Sequence, residues 1–135
     1  MYGNTYAAYY PYQNMLSETP YTAVPIDMTG QIQNGDNNLD HIGAGYDYMY
    51  AVADVPNNGN VNFDFKHVTS IIMLELTMPI EATWKSVTLT NNDGNDVFTT
   101  SATMNVATGD VASTATSSAI MLALNNVCTT ASSKT

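Results

Sequence analysis

Positive charge is nearly missing from this 135-residue sequence: three lysines and arginines stand against twelve Asp and Glu, for a formal net charge of −9. A surface this acidic repels phosphate backbones and anionic bilayers, so nucleic acid is not an expected partner. Cysteine is scarce as well. Cys128 stands alone, cannot close an intramolecular disulfide, and has only Thr and Ser around it, with no electropositive group to activate it as a nucleophile. No uninterrupted apolar run exceeds six residues, as in "AIMLAL" at 119–124, where a membrane-spanning helix needs ~20. No Lys or Arg precedes Lys66, so the basic start of an export signal is lacking. The expectation is a chain with no transmembrane segment, no signal peptide and no lipid-bearing cysteine motif.

What remains is apolar or neutral-polar. Hydrophobic residues make up 44% and charged ones 11%, and the rest is mostly Asn, Thr and Ser. Thr, Val, Ile and Tyr suit a pleated, half-buried surface, while Asn, Gly and Asp suit turns, so the composition is that of a β-protein. The length fits one domain, expected over residues 1–126, with a loose tail at 127–135. Residues 13–45 carry prolines at 20 and 25 and many Asn and Gly; they read as a long loop after a short strand around Tyr6–Tyr10.

From Tyr46 onward the alternation is clear. "YDYMYAV" puts Tyr46, Tyr48 and Tyr50 on one face. "NVNFDFKH" puts Val61, Phe63, Phe65 and His67 on one face. "SIIMLELTMP" puts Ile72, Leu74, Leu76 and Met78 opposite Ile71, Met73, Glu75 and Thr77, with Pro79 as its stop. "WKSVTLTNNDGNDVFTTSATMNV" reads as a meander turning at Asp93-Gly94, with Ala102, Met104 and Val106 inward, and "SAIMLALNNV" as a last strand alternating through Ile120, Leu122 and Leu124. Short strands at this spacing predict an all-β sandwich or barrel.

A search for chemistry finds little. His41 and His67 are the two histidines, and neither sits in a recognisable catalytic or metal motif. His67 reads as a hydrogen-bonded core residue and His41 as solvated. Asp36, Asp40, Asp47 and His41 could in principle hold a metal ion, but turn chemistry is the reading for these Asn, Asp and Gly residues, and no metal site is expected. "NNDGND" at 91–96 lacks the sixth-slot Gly and twelfth-slot Glu of a calcium loop. Glu75 and Glu81 have no partner carboxylate at a fixed spacing. No cofactor and no enzymatic activity are expected.

All nine tyrosines fall within the first fifty residues. Exposed tyrosines beside Asn can stack on sugars or anchor proteins, whereas tyrosines alternating along a half-buried strand are ordinary packing. Packing is the reading for Tyr46, Tyr48 and Tyr50. For Tyr9, Tyr10 and Tyr12 both readings stand, and these three are the candidate binding residues.

Four stretches taken in order, "YAAYYPYQN", "GYDYMYAVAD", "VNFDFKHVTSIIMLELTM" and "WKSVTLTNNDGNDVFTTSATMNVATGDV", resemble the fimbrillin-like proteins of Bacteroidetes, the subunits and anchors of type V pili. The resemblance spans residues 6–125. It implies an antiparallel β-sandwich of transthyretin-like, Greek-key type, located at the cell surface or outer membrane. Family members resemble lipoproteins with a signal peptide, a lipid-bearing cysteine, further N-terminal strands and a second β-domain; the chain starts at the Tyr-Tyr-Pro-Tyr strand and has "DMTGQIQNG" where a different turn is usual. The expectation is therefore an incomplete sandwich whose open strand edges pair with other pilin-type subunits or with itself, acting in structure or adhesion. The alternative is a module binding host glycan or protein through the Tyr-rich N-terminal region.

Overall fold

The computed structural model describes residues 5–13, 21–54 and 59–129. Among them are nine strands: β1 (Thr5–Tyr10), β2 (Val24–Asp27), β3 (Ile32–Asn34), β4 (Met49–Asp54), β5 (Lys66–His67), β6 (Ala82–Thr90), β7 (Phe98–Met104), β8 (Val111–Ser117) and β9 (Ala119–Thr129), with a π-helical turn at Ile42–Tyr46. They form three sheets ordered β1-β4-β5, β2-β7-β8 and β3-β9-β6. The expected all-β sandwich is what the chain forms.

Alternation explains the core. Val24 and Ile26 of β2 and Ala102 and Met104 of β7 point inward from adjacent antiparallel strands, Val106 follows, and Tyr48, just before β4, closes the cluster. Tyr9, Tyr50 and Val68 of the β1-β4-β5 layer pack against it. Sheet faces with apolar residues at every second position bury them only by stacking in this way. Tyr48 is buried with its phenol satisfied: the hydroxyl accepts from Asp27 N–H at 3.1 Å and lies 3.3 Å from Asp27 O, joining the two layers. At the turn between β7 and β8, Gly109 has φ +77° and the Tyr50 ring lies where its Cβ would be. Only glycine fits there.

Several expectations need correction. Residues 13–45, expected as a loop, carry β2, β3 and the helical turn, and β2 supplies two core residues. Pro25 did not preclude a strand because β2 is an edge strand, where a missing N–H costs no ladder bond. Residues 127–129, expected in a loose tail, continue β9, and Trp84 pairs with Val127. The tail from 130 onward lies outside the described residues.

The expected meander also differs. Asp93-Gly94 does form a turn, with Gly94 at φ +70°, but it carries the chain from the β3-β9-β6 sheet to the β2-β7-β8 sheet instead of closing a hairpin. One pairing is parallel, β3 with β9 at Ile32↔Ala123, and Asn125 Nδ2 donates to Asn34 Oδ1 at 2.9 Å beside it.

The largest difference is at residues 71–78, expected as a strand and found unpaired with any described strand. The register gives the reason. β4 and β5 pair antiparallel at Met49↔His67 and Tyr50↔Lys66, and Val68 N–H still reaches Tyr48 O at 2.9 Å. Continued, that register would set Ile71 against Gly45, inside the π-helical turn, where Asp47 N–H is already spent on Ile42 O at 2.9 Å. Residues 71–78 have run past the end of their partner strand.

Candidate functional site

This unpaired segment is the most distinctive surface on the chain. Ile71, Ile72 and Met73 are 61%, 64% and 85% exposed, and Leu74, Leu76 and Ile80 are exposed as well. Both of its alternating faces are apolar, Ile72-Leu74-Leu76 on one and Ile71-Met73 on the other, and Glu75 is its one charge. A strand apolar on both faces belongs between two covering layers. At these exposures the segment shows roughly 600 Å² of apolar surface, at the upper end of what monomers carry as a patch.

Beside its start lies an apolar cleft of about 290 Å³, lined by residues including Ile26, Met28, Val68, Ala102, Val111 and Ile120. A second cleft, of about 340 Å³, opens where residues 61–65 diverge from β4, between Tyr50, Asp64, Lys66 and Thr108. Residues 61–65 form no ladder, and Phe63 and Phe65 face solvent in tilted contact with ring centroids 6.2 Å apart.

The tyrosine candidates divide. Tyr9 is half-buried against the core, its hydroxyl 3.5 Å from Gln13 O. Tyr10 is exposed and its hydroxyl donates to Gly43 O, tying β1 to the helical turn. Tyr12 is 82% exposed. Tyr21 is exposed too, a position the pattern did not single out. Tyr46, expected to share a strand face with Tyr48 and Tyr50, lies in the π-helical turn and donates its hydroxyl to Thr29 O at 2.9 Å. Burial, helped by the nearby Asp27 and Tyr48, raises its pKa above the usual 10.0.

His67 is not the core residue expected: its side chain is 61% exposed and pairs through Nδ1 with Asp47 at 2.6 Å. An exposed pair of this kind contributes little to stability. His41, expected to be solvated, is half-buried with Nδ1 unpartnered among the described residues, and its ring contacts Tyr46. The loop acids do not converge. Asp36 accepts from Cys128 N–H at 2.7 Å, Asp40 joins Asn38, and Asp47 holds His67. No group of three or more His, Cys, Asp or Glu able to hold a metal occurs among the described residues.

Asp27 is a position that sequence reasoning passed over. Its carboxylate accepts from Thr29 Oγ1 at 2.7 Å and Thr29 N–H at 2.9 Å, and these donors hold its pKa below the usual carboxylate range. The "DMT" spacing is the signal that could have found it, since Asp bonding two residues ahead is a turn habit. The network Asp27, Thr29, Tyr46, Tyr48 is a tether between layers.

No helix among the described residues is long and apolar enough to cross a membrane. In comparisons with known proteins, no curated protein and no solved structure matches the chain. A family profile does match, described as fimbrillin-like and covering residues 4–134, nearly the full length. The strand pattern, the β-sandwich and this match together place the chain in the fimbrillin-like family.

Proposed function

We propose that the chain is a non-enzymatic structural subunit of a type V pilus, displayed at the outer-membrane surface of a Bacteroidetes cell and joined to neighbouring pilin-type subunits through β-strand contacts. Family membership supports the fimbrial role. The observation that carries strand-mediated assembly is the exposed segment 71–78, with two apolar faces and no partner strand among the described residues. Strand addition supplies what such a segment lacks, because backbone hydrogen bonds give affinity and alternate side chains give specificity. The reading is tested by expressing an epitope-tagged chain in a pilus-bearing host and shearing the cells. Tagged protein in the sheared filaments, labelled along their length by immunogold, is the expected result; tag confined to the cell bodies would refute it.

A second reading rests on Tyr12 and Tyr21, the most exposed tyrosines described. With the exposed Tyr10 they would offer a stacking surface for a host glycan, while Tyr9 packs inward. A glycan array with the wild-type chain and with Tyr10→Ala and Tyr12→Ala tests it: binding lost in folded variants supports this reading, and an empty array removes it.

A further inference from the structure

We propose that Met73 is a site of reversible oxidation, and that its conversion to the sulfoxide withdraws segment 71–78 from strand pairing. This rests on the strand-assembly reading above and adds a control on the same surface.

The first observation is access. Met73 is 85% exposed, more than any other large hydrophobic side chain among the described residues. The other described methionines are less open: Met121 is 57% exposed, Met28, Met49 and Met78 are half-buried, and Met104 is fully buried. An oxidant must reach the sulfur, so the order of exposure is the order of reaction.

The second observation is position. One alternating face of the segment is apolar throughout, Ile72, Leu74, Leu76 and Met78, while the other reads Ile71, Met73, Glu75 and Thr77. The apolar character of that second face turns on Met73, since the two residues that follow on it are already polar. A strand apolar on both faces belongs between two covering layers, whereas one that alternates apolar and polar leaves a face to water. Oxidation moves the segment from the first kind to the second. The sulfoxide is polar, and burying it without a hydrogen-bond partner is unfavourable, so the covering layer on that face is lost.

The oxidant is a two-electron oxygen donor, hydrogen peroxide. Its O–O bond breaks, one oxygen bonds to the Met73 sulfur, which loses two electrons, and the other oxygen leaves as water. A methionine sulfoxide reductase reverses the step with two electrons from a dithiol, which closes to a disulfide as the oxygen departs as water.

The test uses the full chain carrying Cys128→Ser, which removes the one competing thiol. Under limiting peroxide, peptide mass spectrometry is expected to find oxygen added at Met73 first, roughly tenfold faster than at Met104. Equal rates at the two overturn the proposal. Binding of the neutral apolar dye Nile red is expected to fall on oxidation, to recover after sulfoxide reductase, and to be insensitive to peroxide in Met73→Leu. An equal fall in Met73→Leu places the effect at another methionine and overturns the proposal too.

The shear experiment supplies the functional arm, with Met73→Gln as a polar stand-in for the sulfoxide and Met121→Gln as the exposed comparator on β9. Met73→Gln is expected roughly tenfold below wild type in the filaments, with an unchanged circular dichroism spectrum, and Met121→Gln at the wild-type level. Should Met73→Gln not fold, the oxidation and dye arms decide. Met73→Gln entering filaments as wild type does overturns the inference and leaves the filament reading standing, whereas wild type itself absent from filaments overturns both.

Discussion

Gly109 carries two independent constraints, and replacing it by Ala separates them. The first is its backbone, at φ +77°, where a β-carbon costs about 1 kcal/mol or slightly more. The second is Tyr50: an alanine Cβ would fall within the ring, against Cζ, Cε1 and the hydroxyl. Forcing extra volume into a packed site costs about 1–3 kcal/mol. The ring packs on the core cluster but also borders the cleft beside Lys66, so it retains one direction of retreat and the lower half of that range applies. Gly109→Ala should therefore lose about 2–3 kcal/mol in all, a drop in Tm of about 8–12 °C for a chain of this size.

Gly94 provides the control. Its φ of +70° matches, but nothing lies within 4 Å of its Cβ position, so Gly94→Ala should lose only the backbone contribution of about 1 kcal/mol. Urea unfolding of both variants gives the comparison. A cycle with Tyr50→Leu should recover about 1 kcal/mol in the Gly109→Ala background, because the shorter side chain vacates the contested space. If Gly109→Ala and Gly94→Ala lose the same stability within error, the Tyr50 contact does not constrain the turn, and the packing of the β7–β8 turn on β4 is not as described.

Three further outcomes follow from the core and its tethers. Met104, fully buried in β7, should lose about 2–5 kcal/mol as Met104→Ala by urea titration, against under 0.5 for Met121→Ala, which is exposed on β9. Tyr48→Phe removes the hydroxyl shared with Asp27 and should lose about 1 kcal/mol while leaving the burial intact; an equal loss in Thr88→Val would show that no specific bond is being measured. Asp27 has a folded pKa below the ordinary 3.8, so the stability it contributes is present above that value and is lost as pH falls through the folded pKa. Thr29→Val removes the hydroxyl donor and should move the Asp27 carboxyl titration, followed by NMR, upward toward 3.8; an unmoved titration would mean that Thr29 Oγ1 does not hold the carboxylate.

What could be read from the sequence was local. Ala102, Met104 and Val106 alternate within one strand and are buried as expected, because a period of two needs no knowledge of the partner. Val24 and Ile26 alternate equally well, but Pro25 between them concealed a strand whose only safe place is an edge, and edge status depends on the whole sheet. The parallel β3–β9 pairing joins residues about ninety apart, and nothing in "QIQNG" names its partner. His67 was set with Phe63 and Phe65 by alternation, yet that face is itself uncovered, so shared periodicity did not imply burial. The three candidate tyrosines were readable as a cluster but not as three environments, since Tyr9 is held by the core and Tyr10 by Gly43.

The segment 71–78 joins that lesson to function. Its pattern asks for burial on both faces, and the register of β4 against β5 withholds it within one chain. Covering roughly 600 Å² at about 25 cal/mol per Å² would release about 15 kcal/mol at most. Fixing eight residues as a strand costs about 1–2 kcal/mol each, on the order of 12 kcal/mol. The two nearly cancel, so covering both faces leaves only a small margin, to which backbone hydrogen bonds along the segment's edge would add. On the proposed reading, a segment poised at this balance pairs when a strand of suitable register is presented. That is the behaviour required of a contact that forms between subunits and not within one.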